Sequence, residues 1–162
     1  MTSRSNLQID MFGDDDPLSH VRHRWRNTIE GKGGKCPVCD RWGKVNVVHL
    51  NESMCLSLLW MSRAPLNDQG YIDMQGSTTR AVMRSRSYPH LAKWGFVEKA
   101  PKSEDKSKKS DGFWRVTHSG FKFIKNEFSV PDRVFTYNKD LEGWGKRDVF
   151  FSQCFGRYFD LS

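Results

Sequence analysis

The sequence predicts an α+β protein, and three kinds of observation support this class. Apolar residues recur at helical spacing in several segments, short runs of β-branched and aromatic residues have the composition of strands, and cap or stop residues separate the two. At 162 residues with 37% hydrophobic content, the chain has room for one domain, or for a small domain with an appended module.

The N-terminal elements follow from a few local signals. Residues 1–16 are polar and acidic and predict an extended or disordered tail, which ends in Asp16 as a helix N-cap with Pro17 at the first helical position. A helix is expected to run to about Glu30, where "GKGGK" ends it and leads to Cys36. "KVNVVHL" then has the β-branched composition of a short strand.

Three helices are predicted in the middle of the chain. "NESMCLSLLWMSR" starts at an Asn51 cap and places Met54, Leu58 and Met61 on one stripe. The very short strand "YIDM" precedes "STTRAVMRSR", a helix capped by Ser77. "SYPHLAKWG" is the next helix, with a proline tolerated in its first turn and a glycine as its C-terminal stop.

A hairpin and a closing helix complete this region. "FVEKA" and "GFWRVT" have strand composition, and the polar, lysine-rich segment "PKSEDKSKKSD" joins them as a long loop. "HSGFKFIKNEF" follows as an amphipathic helix.

This order of elements resembles that of a winged helix-turn-helix protein. The segment "FWRVTHSGFKFI" is similar to the hairpin-to-helix junction of bacterial winged-helix proteins, on the strength of Trp114, Thr117, Gly120, Phe123 and Ile124. The resemblance covers roughly residues 51–130 and implies a DNA-binding fold. The layout of the whole chain also resembles that of proteins encoded by bacteriophages.

The chain is accordingly expected to have four parts. The winged helix domain (51–130) follows a tail (1–16) and a helix with a zinc knuckle-like module (17–50), and a β-rich extension (131–162) ends the chain. In the extension, "RVFTYN" and "RDVFF" lie on either side of "KDLEGWG", which predicts a C-terminal β-hairpin packed on the wing. Aromatic residues at strand spacing are more typical of a core than of a surface that stacks on bases.

The charge distribution indicates an anionic partner, with double-stranded DNA as the first candidate. The net charge is +7, and residues 80–109 hold nine Lys or Arg against three acids. The winged-helix resemblance assigns base readout to the second helix, through Arg84, Arg86, Ser87, Tyr88 and His90. Phosphate contacts are assigned to Arg80, Lys93, Lys102, Lys106, Lys108 and Lys109. The alternative is a winged helix that docks a protein, with a lysine loop that is merely soluble.

A structural zinc site is predicted around the Cys-Pro-Val-Cys sequence. Cys36 and Cys39 have the spacing of half a tetrahedral site, and two cysteines cannot hold zinc stably without further ligands. His20 and His23 lie three apart on one face of the predicted helix and would complete the site from upstream.

Other interpretations of these cysteines stay open. His49 and Cys55 are a second, downstream completion, although Cys55 lies beside a stripe that looks like core. A redox role is less favoured, because such a pair is expected at a helix N-terminus in a thioredoxin-like βαβ pattern, which the sequence lacks. The plainest alternative is two unpaired thiols in a tight turn.

The tail contains a pattern that resembles a protein-docking motif. Gln8, Ile9, Asp10, Met11 and Phe12 resemble the pentapeptide that bacterial proteins use to bind the replicative β sliding clamp. Met11 and Phe12 would fill an apolar pocket, and Gln8 would hydrogen-bond nearby. The alternative is a tail that folds back and packs Met11 and Phe12 on its own domain.

These observations favour a non-enzymatic DNA-binding protein. No Gly-rich phosphate loop, nucleophile elbow or His-Glu-x-x-His is present, and no signal peptide or membrane span is predicted. The expected setting is the bacterial cytoplasm, in phage-type control of replication or transcription. The competing hypothesis is an interaction module that inhibits host replication, transcription or defence machinery.

Overall fold

The computed structural model describes residues 17–76, 80–102 and 112–155, which combine helices with short strands and confirm the α+β class. The chain divides into two compact units. Unit 1 comprises Met1–Val47 and Phe135–Gly143, and unit 2 comprises Val48–Val134 and Trp144–Ser162. Among the helices of the described residues, none has the length and apolar character needed to cross a bilayer.

The described elements are these in chain order: α1 (Leu18–Glu30), β1 (Gly34–Lys35), β2 (Trp42–Gly43), β3 (Asn46–His49), α2 (Glu52–Arg63), β4 (Ile72–Asp73), α3 (Arg80–Ser85), a 3₁₀ helix (Tyr88–Trp94), β5 (Val97–Lys99), β6 (Phe113–Val116), α4 (His118–Ile124), β7 (Val130–Pro131), β8 (Arg133–Tyr137), β9 (Asp140–Trp144), β10 (Asp148–Val149) and a second 3₁₀ helix (Phe151–Cys154).

Helix α1 of unit 1 presents one apolar face. It begins one residue later than predicted, because Pro17 keeps an extended backbone (φ −54°, ψ 136°) and occupies the N-cap position. Val21, Trp25 and Ile29 are half-buried and lie four residues apart, so they form a single stripe along the helix. The predicted cap Asp16 lies outside the described residues.

Strands β1 and β2 form a small antiparallel hairpin that packs on this stripe. Gly34 pairs with Gly43, and Lys35 pairs with Trp42. A Cβ atom added at Gly43 would lie 2.7 Å from Trp25 Cζ2 and 3.1 Å from Ile29 Cγ2. Only glycine allows so close an approach, and this contact therefore fixes where the hairpin meets α1.

The C-terminal hairpin differs from the predicted one. Strands β8 and β9 are neighbours in a three-stranded sheet of order β3-β8-β9, and Asn138 and Lys139 between them both have positive φ (49° and 75°), as in a type I′ turn. The segment "KDLEGWG", predicted as the connection, therefore supplies strand β9. Strand β10, from the segment predicted to pair with β8, pairs instead with β7.

Helix α2 supplies one wall of the core of unit 2. Asn51 Oδ1 accepts a hydrogen bond from the backbone N–H of Met54 at 3.0 Å, which confirms the predicted cap. Met54, Leu58 and Met61 are buried, as their spacing predicts. Ser57 is also buried on this helix, where its hydroxyl donates to the Ser53 carbonyl at 2.8 Å.

The helix predicted at "SYPHLAKWG" is present as a 3₁₀ helix, Tyr88–Trp94. His90 N–H donates to Ser87 O at 3.1 Å, and Gly95 N–H donates to Ala92 O at 3.0 Å, which are bonds over three residues. The Gly95 N–H is shared with Leu91 O at the end of the helix. Pro89 contributes no N–H within the first turn, and Gly95 ends the segment in the left-handed region (φ 73°), as predicted for its C-terminal stop. The predicted Ser77 cap of α3 lies outside the described residues.

Strands β4, β6 and β5 form an antiparallel sheet in that order, and α4 follows directly. Thr117 Oγ1 caps α4 by accepting from Gly120 N–H at 3.2 Å. The helix ends earlier than predicted because Asn126 takes a positive φ of 61°, so that its N–H and that of Glu127 cap the final carbonyls in a Schellman arrangement. On α4, Phe123 stacks on Phe96 with ring centroids 4.4 Å apart.

Candidate nucleic-acid interface and cysteine knuckle

The turn between α3 and the first 3₁₀ helix carries exposed basic side chains. Arg84 lies in the last turn of α3, and Arg86 follows it with a positive φ of 47°. Both are exposed, and so is His90 in the 3₁₀ helix. These three of the five side chains predicted to read bases are therefore accessible to a ligand.

Two other predicted base-reading residues are engaged within the protein. Ser87 Oγ lies 3.0 Å from Ser85 Oγ and 3.4 Å from Ser53 Oγ. Tyr88 is half-buried, with its ring edge-on to Trp114 at a centroid distance of 5.6 Å, and this burial raises the pKa of its hydroxyl. These contacts suit Ser87 and Tyr88 to positioning the turn rather than to reading bases.

The predicted phosphate-binding residues are only partly described. Lys102 is exposed beyond β5, Lys93 is half-buried, and Arg80 begins α3. Lys106, Lys108 and Lys109 lie outside the described residues.

Sequence reasoning missed one basic residue of the sheet, Arg115 on β6. It pairs with Glu98 across the β5–β6 register, and its guanidinium lies 5.0 Å from the centre of the Tyr71 ring. The hydrogen bond to Glu98 raises the pKa of Arg115. Opposite charges facing each other across two strands are the signal that could have identified this pair, once the strand register was known.

Cys36 and Cys39 lie in a tight turn at the tip of the β1–β2 hairpin, which we call the knuckle (residues 36–41). The Cys36 N–H donates to Arg41 O at 2.8 Å, and the Asp40 N–H donates to Cys36 O at 2.9 Å. Asp40 takes a positive φ of 57° to close the turn. Because the backbone is fixed by these bonds, the two thiols are held on the same turn.

The knuckle favours the thiolate form of its first cysteine. Hydrogen bonds from the backbone N–H groups of Val38 and Cys39 hold the pKa of the Cys36 thiol below its ordinary value, and the Cys39 side chain is also within hydrogen-bonding distance of it. Two converging sulfur atoms, one of them stabilised by amide N–H groups, are the donor set that a soft or borderline metal ion prefers.

The structure brings the two knuckle cysteines together but does not bring His20 and His23 to them. Both histidines are exposed on α1, about half a helical turn away from the stripe of Trp25 that contacts the hairpin. All histidines and cysteines of the chain fall within the described residues, and no three or more His, Cys, Asp or Glu side chains there form a group that could hold a metal ion. Zinc binding by this set stays a prediction.

The alternative ligand Cys55 has a different neighbour. It is fully buried in unit 2, where its thiol is hydrogen-bonded to that of Cys154, and this contact together with burial raises its pKa. The same contact lowers the pKa of Cys154. All four cysteines are free thiols, and His49 is exposed. The sequence carries no local signal for a pair separated by 99 positions.

The docking motif Gln8–Phe12 lies outside the described residues. Comparisons with protein-family models, with curated proteins and with solved structures find no match to this chain. The functional argument therefore depends on the geometry of the two units and on the chemistry of their side chains.

Proposed function

We propose that the chain is a non-enzymatic DNA-binding protein whose unit 2 is a winged helix domain. The observation that carries the proposal is the β4-β6-β5 order of the antiparallel sheet in unit 2. In a winged helix, the short strand between the first two helices pairs with the last strand of the hairpin, and the order α2, β4, α3, 3₁₀ helix, β5, β6 supports the assignment of unit 2 to this class.

The position of the charge supports the same proposal. Strands β5 and β6 are paired from Val97↔Val116 to Lys99↔Trp114, so the lysine-rich segment connects them at one end of the hairpin. That connection corresponds to the wing, where cations contact phosphates in this class of protein. The exposed Arg84, in the last turn of α3, and Arg86, just after that helix, come directly before the 3₁₀ helix that occupies the position of a recognition helix.

The proposed readout differs from that of a long recognition helix. A seven-residue 3₁₀ helix offers few exposed side chains, and its N-cap Ser87 and its first residue Tyr88, both in the predicted base-reading set, are engaged internally. Base contacts are therefore assigned to Arg84, Arg86 and His90, with general affinity supplied by the lysine segment. The expected specificity is modest, and the expected salt dependence is steep.

The proposed biological role is phage-type control of replication or transcription in a bacterial host, with the tail motif recruiting the protein to the sliding clamp. A second candidate is an interaction module that inhibits host machinery. It is favoured by an apolar groove of about 470 Å³ on unit 2, lined by Leu56, Leu59, Trp60, Arg63, Ala64 and Pro65. Leu56 in this groove is 45% exposed, so its side chain is accessible to a partner.

Duplex binding at increasing salt tests the proposal. The wild type is expected to bind any duplex at low salt, and the triple change Lys106→Ala, Lys108→Ala and Lys109→Ala should make the slope of log affinity against log salt shallower by about 3. Lys122→Ala, Lys125→Ala and Lys146→Ala, which remove the same charge from exposed sites of unit 2, serve as the matched control and should change the slope less.

A substitution in the turn separates base readout from general affinity. Arg86→Gln should lower the ratio between the affinities for a selected site and for random duplex, whereas the triple lysine variant should lower both affinities alike. Glutamine removes the charge but, like arginine, has an unbranched side chain, so the conformational cost of the positive φ at this position should change little. Lack of duplex binding at low salt would overturn the proposal in favour of the interaction module, whose groove can be tested with Leu56→Glu.

A further inference from the structure

The knuckle offers two metal ligands where a structural zinc ion needs four. Structural zinc sites are almost always tetrahedral, with cysteine and histidine as the usual ligands. The remaining histidines and cysteines do not form a metal-binding group in the described residues. His20 and His23 lie on the outer face of α1, Cys55 contacts Cys154 in the core of unit 2, and the exposed His49, His90 and His118 also belong to unit 2. The two missing ligands therefore have to come from outside these side chains.

We propose that the knuckle binds zinc together with the knuckle of a second copy of this chain, so that Cys36 and Cys39 of each copy complete one four-sulfur site. A two-fold axis through the metal makes the two halves identical, which is the commonest symmetry of homo-oligomers. This proposal concerns unit 1 and does not depend on the DNA-binding function proposed for unit 2.

The knuckle is accessible enough for such an arrangement. Cys39 is exposed, and Cys36 is half-buried, so that both thiols can be approached from solvent. The apolar side chains beside them are unusually open, since Val38 is 78% exposed and Trp42 is 64% exposed. A second copy docked through the metal would cover both, and covering apolar surface stabilises the pair.

The charges around the knuckle also fit a four-sulfur site. Zinc with four thiolates carries a net negative charge, which needs nearby cations to be stable in a partly buried position. Lys35 and Arg41 flank the two cysteines and are exposed, and they outnumber the exposed carboxylate of Asp40 beside Cys39, so the pair would bring four cations and two anions to the metal. Without the metal, the same cations repel one another, so association is expected only when zinc is bound.

The small size of unit 1 provides a further argument. Its described part is about 40 residues long, and none of them contributes a buried hydrophobic side chain to the core cluster of the protein. Units of this size usually need a metal, a disulfide or oligomerisation to be stable. A zinc site shared by two copies would supply both a metal and oligomerisation.

Mass and metal content of the full chain test the proposal. The chelator-treated protein should behave as a monomer of 18.9 kDa, and added zinc should double the mass measured by light scattering, with about one zinc per two chains by elemental analysis. A monomer with about one zinc per chain would overturn the proposal and favour ligands within one chain. Failure to bind zinc would also overturn it.

Variants identify the ligands. Cys36→Ser with Cys39→Ser should abolish both zinc binding and dimerisation, whereas His20→Ala with His23→Ala should leave both unchanged. Because the cysteine variant can also unfold unit 1, the wild-type protein loaded with Co²⁺ gives an independent measurement. Its absorption spectrum should be that of a tetrahedral four-thiolate site. A spectrum with nitrogen or oxygen ligands would contradict a site built from two knuckles.

A charge placed at the knuckle tests the surface without touching the ligands. Val38→Asp places two carboxylates against each other across the two-fold axis and should weaken zinc-dependent dimerisation by about tenfold or more. Leu141→Asp is the matched control, since Leu141 is 53% exposed in the same unit but outside the knuckle. Equal effects of the two changes would show that the knuckle surfaces do not face each other.

Discussion

Units 1 and 2 differ in what stabilises them. Among the described residues, all 17 buried members of the hydrophobic core cluster belong to unit 2, where the Phe123 ring stacks on Phe96 and meets Phe151 edge-on. In unit 1, α1 has no buried residue, and its stripe packs on a hairpin through the close approach of Gly43 to Trp25. Unit 2 can thus be stable by burial of apolar surface, whereas the described part of unit 1 has few such contacts, and the proposed metal would add to them.

The two proposed functions are also assigned to different units. The elements proposed to contact DNA lie in the unit with the rigid core, which can hold Arg84 and Arg86 in a fixed position. The proposed metal site lies in the unit with little core, where a bound ion contributes folding free energy directly. Stability and recognition in the two units should therefore respond to different perturbations.

Removal of zinc should have the largest effect and should act on unit 1. A structural zinc ion contributes about 10–16 kcal/mol of binding free energy, so its chelation is expected to unfold α1 and the β1–β2 hairpin. Amide hydrogen exchange should become fast in Leu18–Glu30 and stay slow in Glu52–Arg63. Unchanged protection of α1 after chelation would show that unit 1 is stable without metal.

Truncation of a core aromatic should have the next largest effect and should act on unit 2. Phe123→Ala removes a fully buried ring and is expected to lower the free energy of unfolding by about 3–5 kcal/mol in chemical denaturation. Phe121→Ala, on the same helix but at a position 42% exposed, is the control and should cost far less. Similar losses for both would contradict the placement of α4.

The double change Met11→Ala and Phe12→Ala in the tail tests whether the docking motif binds a separate protein or one of the two units. A peptide of residues 4–16 should bind a bacterial sliding clamp with a micromolar dissociation constant, and Met11→Ala with Phe12→Ala should cost at least about 2 kcal/mol of binding free energy. The same double change should leave the unfolding of both units unaltered. A lower melting temperature of either unit would mean that the tail packs on its own chain.

A single methyl group should have the smallest effect of the four. Gly43→Ala forces a Cβ atom against Trp25 and Ile29 and is expected to destabilise unit 1 by about 1–3 kcal/mol, measured as faster hydrogen exchange in α1. Gly143→Ala, where nothing lies within 4 Å of the added atom, is the control. If Gly43→Ala is neutral, the hairpin does not depend on this close approach.

The elements predicted correctly are those with local signals. The Asn51 and Thr117 caps, the Gly95 stop and the buried stripe of α2 all depend on residues within one or two turns of each other, and each is present in the structure. The sequence also predicts the β5–β6 pairing, because an apolar or aromatic run lies on each side of a polar loop.

The elements predicted wrongly depend on competition between distant partners. The C-terminal hairpin was assigned to the wrong pair of strands, because "RVFTYN", "KDLEGWG" and "RDVFF" can all form strands and only the turn at Asn138 selects the pairing. The helix predicted at Tyr88–Trp94 is present, and only its 3₁₀ type is not indicated by the sequence, since a short segment with a proline near its start has little intrinsic preference between the two types.

The candidate sites show the same division between local and distant contacts. The knuckle is a local turn, and the spacing of its cysteines predicts it. The thiol contact between Cys55 and Cys154 depends on the packing of α2 against a 3₁₀ helix far along the chain. No pattern within a window of the sequence could have indicated that contact.

Unit 1 is built from two separate stretches of chain, so its parts become available for folding at different times during synthesis. Helix α1 and the β1–β2 hairpin are synthesised first. The strand that brings Tyr137 next to Gly43 is synthesised almost 100 residues after them. At ordinary rates of translation this delay is on the order of 10 s. During that interval the segment that holds Cys36 and Cys39 lacks its final partner strand.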